Sequence, residues 1–328
     1  MLDGLRGIAI ALVVADHAWS VGHGGSVGVT LFFVLSGFLI TNLLITEEKT
    51  TGSISLKNFY IRRGFRLLPA FLVYMLGSAI LAMWFGSSMG WIWQESWPAL
   101  VYAANYVQEL GVTMRLHWHT WSLAVEEHFY LLWPLLLGAI TKRRRLTFVG
   151  LSVGLLAVWD YVAFRHLDGW GYSATDTNAY ALGAGCLVSV ARSRSSKFLL
   201  KSWHPLAGVA FLVAATGIPD SALRQPVVVV ISALTVWACT EAPAGFLAFR
   251  PLRDLGKISY ALYLWHIPIL MTATTPAGRT LAVAVSLVVA WLSWHLLERR
   301  ILEYRDRRWS RMPRSQADEP SVDLATAV

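Results

Sequence analysis

Charged residues are scarce in this chain. Asp, Glu, Lys and Arg make up 15% of its 328 residues, whereas about 25% is usual for a soluble protein. Hydrophobic residues account for 55%, and the mean hydropathy is +0.50. These values exclude a soluble globular domain. Together with 16 tryptophans, a residue that favours the membrane–water interface, they predict an all-α, polytopic transmembrane helical bundle.

Several common site motifs are also missing. The only two cysteines, Cys186 and Cys239, lie in apolar runs, which favours core positions over a disulfide or a metal site. The sequence has no Walker-type glycine loop, no zinc-like Cys/His spacing and no serine elbow. We therefore expect no metal, and we expect neither a P-loop enzyme nor a serine hydrolase. The sequence also has no cleavable signal peptide and no inverted repeat.

Ten apolar segments are candidates for membrane-spanning helices, which need about 20 residues each. They cover residues 4–21, 27–46, 67–85, 118–140, 146–165, 173–191, 204–219, 225–242, 257–275 and 279–300. Ten spans place every basic cluster on one side, which the positive-inside rule assigns to the cytoplasm. Both termini are then cytoplasmic, and residues 86–117 form an external or re-entrant segment. An eleventh span at 91–107 would put the clusters at 57–66 and 141–146 on opposite sides.

The domain organisation follows from this count. We predict one transmembrane domain over residues 1–305 and a polar, disordered cytoplasmic tail over 306–328, with no soluble domain attached. The net charge of +8 and the isoelectric point of about 9.7 then reflect membrane topology and not a nucleic-acid partner.

Ionisable residues inside the predicted spans indicate a functional site. Arg6 and His17 lie eleven positions apart on the first span, so they share a helix face and are about 16 Å apart along it. The predicted depth of His17 in the outer half is close to that of Glu126 or Glu127, and Asp176 begins the sixth span on the same side. These side chains could form one polar pocket in which His17 acts as a general base. The alternative is a structural polar cluster that holds the spans together.

A second group is basic and lies at the cytoplasmic end of the third span. Arg62, Arg63 and Arg66 occur in "FYIRRGFRLLPA", and the last two share a helix face. Such a pair can bind phosphates through charge-assisted hydrogen bonds. The alternative is a topological anchor that contacts lipid headgroups.

Six stretches in order resemble the acyltransferase-3 family of integral membrane O-acyltransferases. They are "LDGLRGIAIALVVADH", "GVTLFFVLSGFLIT", "FYIRRGFRLLPA", "HTWSLAVEEHFYLLWP", "TDTNAYALGAG" and "ISYALYLWHIPI". The resemblance implies transfer of an acyl group from cytoplasmic acyl-CoA to a hydroxyl, often on a sugar. His128 and Asn178 depart from the family pattern, which has another polar residue at the first position and usually Arg at the second.

The resemblance also implies residue roles. It matches His17 to the family's catalytic residue and favours Glu126 over Glu127 as the matched carboxylate. Asp176 completes the predicted catalytic residues because of its predicted position at the outer end of the sixth span. The resemblance matches Arg63 and Arg66 to the family's arginine pair for the CoA phosphates, and Arg6 to the arginine of the motif that ends at His17. These three residues and the neighbouring Arg62 are the predicted donor-binding residues. The small residues Ser36, Gly37, Gly183 and Gly185 are expected to leave room for the acyl arm. His266 is interpreted as mainly structural, with a role in a substrate channel left open.

The expected function is a membrane O-acyltransferase of the bacterial cell membrane. Its donor is acyl-CoA, with acetyl-CoA favoured, and its acceptor is a glycan, a lipid-linked sugar or a glycosylated small molecule. His17 either deprotonates the acceptor hydroxyl or carries the acyl group transiently. The alternative is a proton-coupled exporter that uses the same buried residues.

Overall fold

The computed structural model describes residues 1–166, 171–194, 204–219, 221, 223–241 and 245–309, and these ranges contain helices and no strand. The helices are α1 (Leu2–Trp19), α2 (Gly24–Thr51), α3 (Leu56–Trp84), α4 (Met89–Leu100), α5 (Ala104–Glu109), α6 (Trp121–Ala139), α7 (Arg145–His166), α8 (Thr175–Arg194), α9 (Pro205–Ala215), α10 (Arg224–Glu241), α11 (Arg250–Lys257), α12 (Ser259–Leu270), α13 (Pro276–Ser293) and α14 (Arg299–Trp309). Short 3₁₀ turns precede α6 and α11, and a π-helical turn joins α13 to α14. The predicted all-helical class is therefore confirmed.

Within the described ranges, four helical stretches are long and apolar enough to cross a membrane by themselves: Gly24–Thr51, Leu56–Trp84, Arg145–His166 and Pro276–Arg308. The count of ten spans stays a prediction. Helix α1, for example, carries Asp3, Arg6 and Asp16 along its 18 residues. The ambiguous segment 91–107 is divided between α4, with 12 residues, and α5, with 6. Neither has the roughly 20 residues that a span requires.

The basic clusters meet at one end of the bundle, which we call the inner end after its predicted orientation. Arg145 makes a two-pronged ion pair with Glu48 at the end of α2, at 2.6 and 3.1 Å. Arg194 donates to the carbonyl of Lys142 at 2.7 Å. The start of α1 lies at the same end, where Asp3 contacts Gly256 of α11. Which side of the membrane this end faces stays a prediction, and residues 310–328 of the predicted tail lie outside the described residues.

Helix α2 packs closely along α8, and two glycines make this possible. A Cβ added at Gly37 would lie 1.9 Å from the carbonyl oxygen of Leu182, and one at Gly185 would lie 2.0 Å from that of Val34. Both distances are far below van der Waals contact, so no side chain fits at either position. The expectation that these glycines make room for an acyl arm was wrong, because the space is filled by the neighbouring backbone. Small residues serve this packing role in many membrane helices.

Candidate active site

His17 lies at the opposite end of α1, the outer end, and its ring pairs with that of His266 on α12. The Nδ1 atom of His17 is 2.8 Å from Nε2 of His266. The two ring planes are nearly parallel, at 11°, and the ring centroids are 5.1 Å apart. The edge of Trp118 packs on His17 at 5.1 Å. His266 is fully buried, whereas His17 is half-buried.

The hydrogen bonds determine which nitrogen of each neutral ring carries the proton. His266 Nδ1 lies 2.6 Å from the carbonyl oxygen of Tyr263, and a carbonyl oxygen only accepts, so Nδ1 of His266 is the donor. The Nε2 atom of neutral His266 must then accept, and Nδ1 of His17 donates to it. Neutral His17 therefore keeps a lone pair on Nε2, which is the state a general base requires.

Gly25 leaves space beside this nitrogen. A Cβ at Gly25 would lie 3.3 Å from Nε2 of His17. The backbone of Gly25 is fixed there because its N–H donates to Oδ2 of Asp16 at 2.8 Å. Asp16, the residue before His17, thus holds the first turn of α2 in place beside the ring of His17.

Another histidine, His119, is held close to the His17–His266 pair by a carbonyl that Pro268 leaves free on α12. Proline has no N–H, so the carbonyl of Leu264, four residues earlier on α12, lacks its helical partner. Nε2 of His119 donates to that oxygen at 3.2 Å. The Tyr263 hydroxyl in turn donates to the carbonyl of His119 at 2.7 Å, and Ser122 lies 2.6 Å from the same hydroxyl. The segment before α6 is thereby attached to α12 beside the histidine pair.

A cavity reaches from the inner end of the bundle towards this region; we call it the arginine cavity. Its volume is about 740 Å³, counting the space at its open mouth. The polar side chains that line it are Arg6, Ser36, Arg63, Arg66, Ser122, Glu126, Tyr130, Ser259, Tyr260 and Tyr263. The wall residue Tyr263 also provides the carbonyl that orients His266. The cavity and the histidine pair are thus joined through one residue.

The cavity carries a net positive charge. Three arginines line it and Glu126 is the one acidic residue among the lining side chains. Arg66 is 7% exposed, and its Nη1 atom has no hydrogen-bond partner among the described residues. Arg63 lies over the ring of Tyr130 at 3.2 Å, a cation–π contact. A buried and incompletely paired guanidinium of this kind suits an anionic group such as a phosphate.

Arg6 and His17 face α12, as expected for residues that share one face of α1. Arg6 donates to the hydroxyl of Ser259 at 3.2 Å, and His17 pairs with His266 further along the same helix. Arg62 is separate from the other arginines. It forms an ion pair with Glu47 at 3.2 Å, and its side chain is 40% exposed.

The carboxylates do not gather around His17, so the expected shared pocket does not form between the described side chains. Glu126 accepts from Ser36 at 2.6 Å and lies in the arginine cavity. Glu127 lines a smaller neighbouring cavity with Arg63. Asp176 accepts from the indole N–H of Trp159 on α7 at 2.7 Å. The side chain that contacts the predicted base is His266, for which the sequence predicted a mainly structural role.

The comparisons with known proteins agree with the motif pattern. A family model described as an acyltransferase domain, acyltransferase-3, matches residues 1–296. The chain is 32% identical to the peptidoglycan O-acetyltransferase OatA of Listeria monocytogenes over 346 residues, covering 90% of this chain and 54% of the relative. It is 30% identical to the putative peptidoglycan O-acetyltransferase YrhL of Bacillus subtilis, covering 94% and 56%. It is 31% identical to the O-acetyltransferase OatA of Staphylococcus aureus, covering 82% and 50%. No solved structure matches.

The chain therefore belongs to the acyltransferase-3 family of membrane O-acyltransferases. It spans about half the length of the curated relatives it matches. It is a multi-pass membrane protein, as its apolar helices and its family indicate. The exporter considered as an alternative from the sequence is not favoured, because the family match covers the same residues on which that alternative rested.

Proposed function

We propose that this protein transfers a short acyl group, with acetyl favoured, from acyl-CoA to a hydroxyl of a carbohydrate-containing acceptor. His17 is the proposed base. The observation that carries the proposal is the oriented His17–His266 pair, which leaves Nε2 of His17 with a lone pair beside the space at Gly25. The names of the relatives support a glycan acceptor in the cell envelope, since two of them specify peptidoglycan.

The arginine cavity is the proposed donor site. Arg6, Arg63 and Arg66 provide positive charge for the phosphates of CoA, and the apolar wall that includes Phe33 and Leu35 suits the acyl arm. The serine and tyrosine hydroxyls near the histidine pair belong to the same wall. The cavity thus has a charged part and a part that approaches the proposed base.

The proposed chemistry is acyl transfer assisted by a base. Nε2 of His17 accepts the proton of the acceptor hydroxyl as that oxygen forms the ester bond. The protonated ring then gives this proton to the sulfur as the C–S bond breaks, and CoA leaves as a thiol. Transient acylation of His17 uses the same nitrogen. His266 keeps the proton on Nδ1 of His17 in either case.

The decisive experiment measures the release of free CoA by the purified protein in lipid nanodiscs. Acetyl-CoA is supplied with a panel of acceptors that includes soluble peptidoglycan fragments, neutral oligosaccharides and simple alcohols. His17→Ala is compared with His295→Ala, because the contacts of His295 with described residues are to Trp291 of its own helical segment, through a hydrogen bond to the carbonyl and a ring contact. We expect CoA release that needs an acceptor, is lost in His17→Ala by about 10²- to 10⁴-fold and is retained in His295→Ala. Equal turnover in the two variants would show that His17 is not the base.

A further inference from the structure

A second cavity opens at the outer end of the bundle, between α2, α6, α7, α8 and α10. Its volume is about 810 Å³, counting the space at its mouth. We call it the aromatic cavity. The side chains on which its chemistry depends are Trp121, Asp160, Tyr172, Asn178, Arg224 and Gln225. None of them belongs to the predicted catalytic or donor-binding sets.

Two aromatic rings form one part of the wall. Trp121 and Tyr172 lie with ring centroids 5.2 Å apart and planes at 52°. Trp121 is 5% exposed and rigidly packed, whereas Tyr172 is 66% exposed. Asn178 fixes the loop that presents this tyrosine, because its side-chain amide donates to the carbonyls of Tyr172 and Ala174 at 3.0 and 2.9 Å. The π faces carry partial negative charge, which suits the C–H groups on one face of a pyranose ring.

The remaining wall is polar and contains both charge signs. Arg224 donates to the hydroxyl of Ser26 at 2.8 Å, and Gln225 donates to that of Thr30 at 2.6 Å. Asp160 adds a carboxylate that can accept hydrogen bonds from hydroxyls. The described residues that line the cavity include one acidic and one basic side chain, and this balance favours a neutral, hydroxyl-rich molecule over an ion. Apolar faces combined with a few placed polar groups are typical of small-molecule sites.

The aromatic cavity adjoins the arginine cavity, and α2 connects it to the surroundings of the proposed base. Val29 lines both cavities. The consecutive residues Trp121 and Ser122 line one cavity each. Ser26, in the wall of the aromatic cavity, follows Gly25, whose Cβ position is 3.3 Å from Nε2 of His17. The aromatic cavity and the space beside Nε2 of His17 are therefore bordered by consecutive residues of the first turn of α2.

We propose that the aromatic cavity is the acceptor site and binds a pyranose ring of a neutral glycan. The ring stacks on Trp121 and Tyr172, and Asp160 and Gln225 bind its hydroxyls. This inference rests on the proposed function, because it names the substrate class of that acyl transfer. It also places the acceptor at the opposite end of the bundle from the arginines.

Binding measured without donor tests this site separately from catalysis. The probes are chitotriose and maltotriose, titrated by calorimetry into the full chain in nanodiscs, with a simple alcohol as the negative probe. Tyr172→Ala is compared with Tyr304→Ala, since Tyr304 is also exposed, at 54%, but lies on α14 and lines neither cavity. Asp160→Asn serves as a second variant that preserves shape. Acetyl-CoA binding to every variant shows whether it is folded.

We expect at least one trisaccharide to bind, with the Kd raised about 3- to 10-fold by Tyr172→Ala and about tenfold by Asp160→Asn. Tyr304→Ala should leave the Kd unchanged, and all variants should bind acetyl-CoA as the parent does. If neither trisaccharide binds, or if both cavity variants bind them like the parent, the acceptor site is wrong even where CoA release persists. If the variants weaken glycan binding but no acceptor supports CoA release, the glycan site stands and the proposed acyl transfer fails.

Discussion

Replacing His266 with glutamine or with asparagine should separate the two hydrogen bonds that its ring makes. Asparagine can place an amide N–H near the position of Nδ1, where it can still donate to the carbonyl of Tyr263, but it is too short to reach His17. Glutamine can place its side-chain oxygen near the position of Nε2. That oxygen can only accept, so it keeps the proton of His17 on Nδ1. The two variants are similar in size and polarity, which limits differences in folding.

The expected loss follows from the bond between His17 and His266. Its length is 2.8 Å, and His266 is fully buried. Leaving a buried donor without its acceptor costs about 1–3 kcal/mol, which corresponds to a fall in kcat of about 5- to 150-fold. We expect His266→Asn to show that fall and His266→Gln to remain within about fivefold of the parent. His17→Ala should lose more than either, because it removes the base itself.

The assay is CoA release in nanodiscs with the acetyl-CoA concentration varied, so that kcat and KM are obtained separately. The KM for acetyl-CoA should stay constant, since His266 does not line the arginine cavity. Thermal unfolding of both variants provides the folding control. Equal losses in the glutamine and asparagine variants would refute the orienting role of His266. A loss confined to KM would refute it as well.

Two further predictions concern the inner end. Arg66→Gln should raise the Kd for CoA by about 10- to 100-fold, because it removes a charge-assisted contact. The control Arg62→Gln should change the Kd little. Titration calorimetry measures both values, and equal effects would contradict the assignment of the arginine cavity as the donor site. Arg145→Met should lower the free energy of unfolding by about 3 kcal/mol, since it leaves Glu48 without its two-pronged partner. Lys142→Met should cost less than about 1 kcal/mol in the same denaturation experiment, because the Lys142 side chain is 68% exposed.

Residues that share one helix were placed well by the sequence. The spacing of Arg6 and His17 predicted a common face, and both residues contact α12. Helical periodicity is fixed by backbone geometry, so this relation survives any packing arrangement. The cysteines were also placed correctly, since Cys186 and Cys239 are buried and unbridged.

Contacts between side chains of different helices were harder to predict. The predicted membrane topology gives the depth of a residue but not the direction of its side chain around the helix axis. Glu126 and Asp176 were assigned to the depth of His17, yet Glu126 turns to α2 and Asp176 to α7. His266 was interpreted as mainly structural, so it was not predicted as a partner of His17. The sequence did contain one signal of a polar contact at this point of α12, namely the proline two residues after His266. That proline leaves a carbonyl of α12 without its helical partner, and His119 binds to it.

The glycine contacts between α2 and α8 have a mechanical consequence. Helix α2 lines both cavities, and Asn178 of α8 lines the outer one. Backbone contact through Gly37 and Gly185 couples the two helices into one stiff unit. Ser26 and Ser36, one in the wall of each cavity, are ten residues apart on α2 and therefore about 15 Å apart along it. The distance between the two cavity walls along α2 is therefore fixed. The length of the acyl-bearing arm, rather than a relative motion of the helices, would then determine which donors can deliver their acyl group.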